Sequence, residues 1–272
     1  MTDYQTIEIT RDPCGIATLW LNRPEKNNAF NAQMIAELVG ALRVLADDEE
    51  IRFLFLRGRG KHFSAGADLA WMQASAALDY AANLRDAHEL GELMSLVYHL
   101  PFPTVAVVTG AAFGGAVGLV SCCDIAIGAN DALFSLSEVR IGLAPGVISP
   151  YVVQAIGERA SRRYALSAER FNGDRACEIG LLSETYPLPD LESAVEKWTE
   201  TLMQNSPQAM RVCKALLQEV GSGVLSDALR KRTETTIAGI RVSEEGQEGL
   251  NAFLEKRSPA WVGRDNAPFD RA

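Results

Sequence analysis

Apolar and polar positions along the chain follow two periods, one close to 2 and one close to 3.6, and the elements follow from where each holds. Apolar runs at 7–9 and 16–21, separated by the turn-rich stretch 10–15, predict a β-hairpin. Beyond the polar loop 22–30, with Asn31 as N-cap, Met34, Ile35, Leu38, Leu42 and Leu45 recur at helical spacing. The continuous apolar run 53–58 reads as a strand buried on both faces. A long helical region covers 78–100. The strand-like run 104–108 then stops at Gly110 and gives way to the small-residue turn 111–116 and a new helical pattern. A short strand at 124–128 and a helical region at 149–166 complete this part. Past 186–189 the strand signal disappears and four helical segments follow. Ser206-Pro207 opens one of them, with Ser as N-cap and Pro in the first turn. Ser243-Glu244-Glu245 opens the last, and Lys256, Arg257 and Pro259 close it.

The order "apolar strand, small-residue turn, helix" occurs at 53–69 and again at 105–120, a repeated architecture without a strict sequence repeat. Strands alternating with helices predict right-handed crossovers and a largely parallel sheet, hence an α/β fold. The expected division is a core over 1–200 and a helical region over 201–272. The amphipathic helices of the latter are expected to act as a lid or an oligomer contact.

Composition narrows the function classes. The 272 residues are 47% hydrophobic and 22% charged, enough for a large core. A net charge of -9 argues against nonspecific attraction to nucleic acid or to an anionic membrane surface. The start MTDYQTIEIT lacks a basic region leading into an apolar stretch, and no run of about eighteen apolar residues occurs. Five cysteines (Cys14, Cys122, Cys123, Cys177 and Cys213), odd in number and without CxxC spacing, read as reduced thiols of a cytoplasmic protein.

The candidate chemistry gathers on three stretches. At a strand-to-helix junction, Gly114 and Gly115 let backbone N–H groups approach a ligand, and the helix N-terminus adds positive potential suited to an oxyanion. Taken alone, a Gly-Gly turn is as readily a device for close helix-sheet packing. The second small-residue turn, Ala65-Gly66-Ala67, shifts the balance towards function. Glu138 lies among apolar and small neighbours and precedes a glycine-rich bend at 141–146; a desolvated carboxylate there is a candidate acid or base, against the ordinary fate of Glu on a surface. Asp68 reads as a helix N-cap and Asp124 as a turn or strand-edge partner. Arg140 reads more simply as a surface or subunit-contact cation than as the partner of a distal substrate carboxylate. His62, His88 and His99 lack metal-ligand spacing and the thiols of Cys122-Cys123 face apart, so no metal is expected.

Together, Asn22-Arg23-Pro24 with Asn28-Ala29, the turn 63–69, Gly114-Gly115, Cys123-Asp124-Ile125, Ser137-Glu138 with its bend, and 252–257 resemble the crotonase (enoyl-CoA hydratase/isomerase) family over nearly the whole chain. Within it, the likeness is to 3-methylglutaconyl-CoA and isohexenylglutaconyl-CoA hydratases. The resemblance implies a spiral of ββα units with a helical C-terminal trimerisation region, assembled as a homotrimer or a dimer of trimers. It implies an acyl-CoA thioester whose carbonyl lies between the N–H groups of Ala67 and Gly115, with no cofactor beyond the coenzyme A of the substrate. Ala65, Gly66, Asp68 and Leu69 would line the CoA, Gly114 would contact the substrate from the second turn, and Lys26 would lie near the phosphates. Phe253 and Lys256 would complete the adenine site of a neighbouring subunit.

One departure matters. Typical hydratases carry a second glutamate a few residues into the helix after the Gly-Gly turn, and that position is Gly118 here. With Glu138 alone, the expectation is hydration of a branched 2-enoyl-CoA in leucine or terpenoid breakdown. The alternative is a delta-3, delta-2 enoyl-CoA isomerase. A noncatalytic oligomeric protein binding acyl-CoA or RNA is the reading from another class, with the acidic charge set against RNA.

Overall fold

The structure is a computed structural model describing residues 4–263. Two units divide the chain: one contains the residues up to Leu100 together with Thr104–Glu192, the other Pro101–Pro103 together with the chain from Ser193 onward.

In the first unit, β1 (Ile7–Arg11) and β2 (Ile16–Leu21) form the expected antiparallel hairpin, with Ile7 opposite Leu21. Asn31 caps α1 (Ala32–Ala46) by accepting the Met34 amide, and Met34, Ile35, Leu38, Leu42 and Leu45 are its buried stripe. β3 (Phe53–Gly58) runs parallel to β2. After it come α2 (Leu69–Ala76) and α3 (Tyr80–His99), then β4 (Thr104–Val108), which is parallel to β3 and buried at every position. Next are the short β5 (Ala111–Phe113), α4 (Gly115–Cys122) and β6 (Ile125–Ala129), the last parallel to β4. β7 (Leu133–Ser135), α5 (Ser149–Ser167), β8 (Phe171–Asn172), α6 (Gly173–Glu178) and β9 (Glu184–Tyr186) complete the unit, and α7 (Leu191–Met203) follows.

The main sheet has the order β1-β2-β3-β4-β6-β9, parallel except at the β1 edge. A second sheet, β5-β7-β8, was not expected from the sequence, because strands of two or three residues carry no readable period. Its hold is aromatic: Phe134 and Phe171 pair across β7 and β8 with ring centroids 5.5 Å apart, and Tyr164 of α5 covers Phe171 at 4.2 Å. α5 is bent at Gly157, whose φ of 72° and ψ of 163° interrupt the helix.

The second unit holds α8 (Pro207–Ser222), α9 (Asp227–Arg241) and α10 (Glu244–Glu255), after α7, which spans the expected 200/201 division. Ser206 accepts the Ala209 amide, as its N-cap reading required, and Ser243, at the expected start of the last helix, accepts that of Gly246. Lys214, on α8, is buried and donates from Nζ to the Phe102 carbonyl at 3.1 Å, which fixes the strap 101–103. α9 buries none of its residues.

Two of the connections of the first unit are tied directly to each other. Ser64 and Ala112 form a parallel bridge, with Ser64 N–H donating to Ala111 O at 2.9 Å and Phe113 N–H to Ser64 O at 3.1 Å. His62 adds a third tie, its Nδ1 accepting the Ala111 amide at 3.0 Å. Burial, with help from the Lys61 charge, lowers the His62 pKa from its ordinary 6.5. Protonation of Nδ1 removes the acceptor, so the folded state binds this proton less readily than the unfolded chain does. The contribution of His62 is therefore fully present above about pH 6.5 and is lost as pH falls below it. Thermal melts from pH 8 to pH 5 are expected to show a fall in Tm below about pH 6.5 that is smaller in His62→Gln, while an identical pH dependence in the variant would exclude this role.

Candidate active site

The site is built on a loop that turns back on itself. Asn27 and Asn28 both adopt left-handed backbone conformations, φ 50° and 54°, which Asn tolerates better than most residues. Asn28 is 0% exposed, and its amide is fully engaged. Oδ1 accepts the Arg23 N–H at 2.8 Å, and Nδ2 donates to Arg59 O at 2.9 Å and to His62 O at 2.7 Å. Its own carbonyl accepts the Ser64 hydroxyl at 2.7 Å. The loop after β2 is thereby joined to the segment after β3. Lys26 lies on this loop, exposed, in the 3-10 turn Pro24–Lys26; the next residue, Asn27, accepts the Ala65 N–H at 2.9 Å.

The first small-residue turn is held from both sides. Gly66 has φ 90° and donates to Ser64 Oγ at 3.2 Å; a Cβ there would fall 2.8 Å from the Phe113 carbonyl, so the two turns meet only because position 66 lacks a side chain. Phe30 N–H donates to Gly66 O at 2.7 Å, and Asp68 N–H to Phe30 O at 2.8 Å. These bonds flank Ala67, whose own N–H donates to no acceptor among the described residues. Asp68 caps α2, accepting the Ala70 amide at 2.9 Å and pairing with Arg23 at 3.1 Å; Arg23 also donates to Ala29 O at 2.6 Å. Partial burial works against the Asp68 charge, but the α2 amides and Arg23 outweigh it and lower the pKa. Leu69 is 79% exposed.

In the second turn Gly114 has φ 54° and ψ -120°, a conformation open to glycine, and its N–H donates to Ser135 O at 2.9 Å. Gly115 is the first residue of α4, so its N–H has no partner in the helix, and none outside it among the described residues. A Cβ at Gly115 would lie 3.5 Å from the Phe30 ring, the same residue that brackets Ala67. Two free amides, Ala67 and Gly115, thus border the Phe30 segment, and the second adds the positive end of a helix.

Glu138 opens a 3-10 turn, Glu138–Ile141, that closes on Gly142, with the Gly142 and Leu143 amides bonded to the Glu138 carbonyl. A Cβ on Gly114 would sit 3.2 Å from Glu138 Oε1, which places the carboxylate against the second turn. Oε2 is buried, and no donor among the described residues reaches it. Desolvation raises the Glu138 pKa, offset only in part by its own backbone N–H. A carboxylate with an unpartnered oxygen, set against the turn that carries the free Gly115 amide, is equipped to move a proton while charge develops on a carbonyl oxygen.

The remaining candidates are less directly placed. Arg140 donates to Ala168 O at 2.9 Å, the carbonyl of the left-handed residue that ends α5, in keeping with the simpler reading of that cation. Asp124 accepts both the N–H and the hydroxyl of Thr104, a strand-edge clamp. Phe253, 81% exposed, and Lys256, the left-handed cap of α10, lie in the second unit. Residue types alone assign no role to Asn28, Arg23 or Ser64; in the structure they hold the turns. The available signal was a consecutive Asn pair inside a loop, a composition that favours left-handed backbone.

A family model described as enoyl-CoA hydratase/isomerase matches residues 11–264. A solved structure of an enoyl-CoA hydratase from Shewanella pealeana is 47% identical and superimposes with a TM-score of 0.91, covering 95% of this chain and 96% of that one. A crotonyl-CoA hydratase from Syntrophomonas wolfei is 32% identical over 96% of this chain and 99% of that protein. A 2,3-dehydroadipyl-CoA hydratase from Escherichia coli is 30% identical over 92% and 96%. The α/β spiral, the paired turns and the carboxylate therefore have one reading: the chain belongs to the enoyl-CoA hydratase/isomerase family and has the crotonase fold.

Proposed function

We propose that the protein hydrates a branched 2-enoyl-CoA of the 3-methylglutaconyl or isohexenylglutaconyl type, in leucine or terpenoid breakdown, with Glu138 as the proton-handling group. The observation that carries the chemistry is the buried, unpartnered Oε2 of Glu138, on a carboxylate set against the Gly114-Gly115 turn, together with the Ala67 and Gly115 amides left without an acceptor. The thioester carbonyl oxygen accepts from those two amides. Glu138 as carboxylate takes a proton from water as the water oxygen bonds to C3, and the C2–C3 π electrons move towards the thioester oxygen as an enolate. Glu138, now protonated, delivers that proton to C2, so one water is added and the enzyme returns to its starting state. Each preorganised amide contributes up to roughly 3 to 4 kcal/mol of transition-state stabilisation in a dry site.

A dicarboxylic acyl chain is supported by the resemblance and by the relative named for 2,3-dehydroadipyl-CoA. Ala65, Gly66, Asp68 and Leu69, with Lys26, take the coenzyme A part in this reading. Phe253 and Lys256 serve a neighbouring copy in a homotrimer or dimer of trimers, for which the exposed Leu217, Ile237, Phe253 and Leu254 offer apolar surface. The cytoplasm is the proposed location; among the described residues no helix is long and apolar enough to cross a membrane. A second reading, delta-3, delta-2 isomerisation, is favoured by one observation: position 118 carries no carboxylate. Glu138 then removes a C2 proton from a 3-enoyl ester and returns one to C4.

Liquid chromatography with mass-spectrometric detection of 2- and 3-enoyl-CoA esters, including 3-methylglutaconyl-CoA, separates the two: hydration adds one water, whereas isomerisation gives a product of unchanged mass and shifted retention. Glu138→Gln is expected to lower turnover at least about a hundredfold while acyl-CoA still raises Tm; a near-normal rate excludes the assigned role. In the wild type, kcat/KM should rise with pH through an apparent pKa above the ordinary carboxylate value of 4.5. Because burial raises that pKa, the Glu138 charge costs stability as pH rises above 4.5. Glu138→Gln should therefore melt above the wild type at pH 8, with the gap closing towards pH 4; a gap that does not depend on pH would remove this cause.

A further inference from the structure

Gly118 lies one helical turn beyond Gly115 on α4. A Cβ at this position would fall 2.3 Å from Cγ2 and 2.8 Å from Cβ of Ile148, and 3.2 Å from Sδ of Met94. The volume that any side chain at 118 would enter is therefore already filled. Ile148 is 2% exposed and stands immediately before α5, on the same connection that carries Glu138. Met94, on α3, is 0% exposed, and its sulfur accepts from the Cys122 thiol, one turn further along α4, at 3.8 Å. Beside them, Val147 Cγ1 lies 3.7 Å from where a Cβ on Gly91 would be. α3, α4 and the segment 147–148 thus meet in close apolar contact, permitted by two glycines. The absence of a carboxylate at 118 and the presence of Ile148 are one steric arrangement.

We infer that Ile148 is a positioning residue that sets the partition between water addition and double-bond migration at this site. This rests on the acyl-CoA reading above. By filling the volume at 118 it denies the site both a second carboxylate and a polar foothold for water on that side of α4. Glu138 is then the carboxylate that handles every proton. A water held at one point is less well oriented for attack on C3 than a water held at two, whereas proton transfer between carbons by one carboxylate needs no water. Reducing residue 148 is therefore expected to favour hydration, and most strongly when a carboxylate is placed at 118.

The test uses the purified full chain with crotonyl-CoA, 3-methylglutaconyl-CoA and a 3-enoyl-CoA ester, followed by liquid chromatography with mass-spectrometric detection, in the wild type, Ile148→Val, Ile148→Ala, Gly118→Glu and Gly118→Glu/Ile148→Ala. Gly118→Glu alone is expected to lower Tm by at least about 4 °C through overpacking. The double variant is expected to recover most of that loss, to raise the hydration-to-isomerisation ratio at least about tenfold over Ile148→Ala, and to add a second ionisation to the pH profile of kcat/KM. Recovery of Tm with an unchanged ratio and a single ionisation overturns the inference and leaves Ile148 a packing residue. Should the double variant fail to fold, the series Ile, Val, Ala at 148 decides: a rising ratio supports the inference and a flat one overturns it. If the wild type converts none of these esters, 3-methylglutaconyl-CoA included, the acyl-CoA reading itself falls and the inference falls with it.

Discussion

The constraint on which the site depends is that a buried polar group must be satisfied, and around the two turns Asn28 and Ser64 meet it. An unpartnered buried donor or acceptor costs about 1–3 kcal/mol, so loops that turn near a core need an internal partner for each such group. Asn28 supplies most of that here: its amide bonds to the backbone at Arg23, Arg59 and His62, and its carbonyl takes the Ser64 hydroxyl. Ser64 in turn joins the two turns through its backbone and receives the Gly66 amide. Around the two turns, the groups left open among the described residues include Ala67 N–H, Gly115 N–H and Glu138 Oε2. The two amides lie at exposed or half-buried positions, where solvent meets them in the absence of an acyl group, so the cost falls mainly on the carboxylate.

The parallel sheet supplies rigidity to this arrangement. β3 and β4 end at the segments that become the two turns, and their register, Leu54 beside Thr104 through Arg57 beside Val107, fixes how those ends line up. The bridge between Ser64 and Ala112 continues that alignment past the last strand residues. Short loops on a buried sheet are held more precisely than long surface loops, which suits donors that must sit within hydrogen-bond distance of one developing oxyanion.

Much of this was legible in the sequence, and the parts that were not share a cause. Helix starts were readable because capping is local: Asn31, Ser206 and Ser243 each accept the amide three residues on. The hairpin and the buried strands were readable from period and run length. β5, β7 and β8 were not, since they are defined by who pairs with them, and the bend at Gly157 could not be told from a glycine tolerated within a helix. At the site, the paired turns and Glu138 could be proposed from residue types. The roles of Asn28 and Ile148 could not, because each is a relation between distant segments: a set of hydrogen bonds in one case, an occupied volume in the other.

That occupied volume bears on how Glu138 can work. A carboxylate kept away from donors and water has a raised pKa, which makes it a stronger base when charged and leaves it less often charged at a given pH. Gly114 keeps Oε1 close to the second turn without adding a side chain that would crowd it, and Ile148 with Met94 keeps the neighbouring wall of α4 apolar. In the inference drawn above, this apolar wall offers no group that would help Glu138 hold a water. Basicity and water placement therefore trade against each other at this site, and the packing at position 118 is where the balance between them is set.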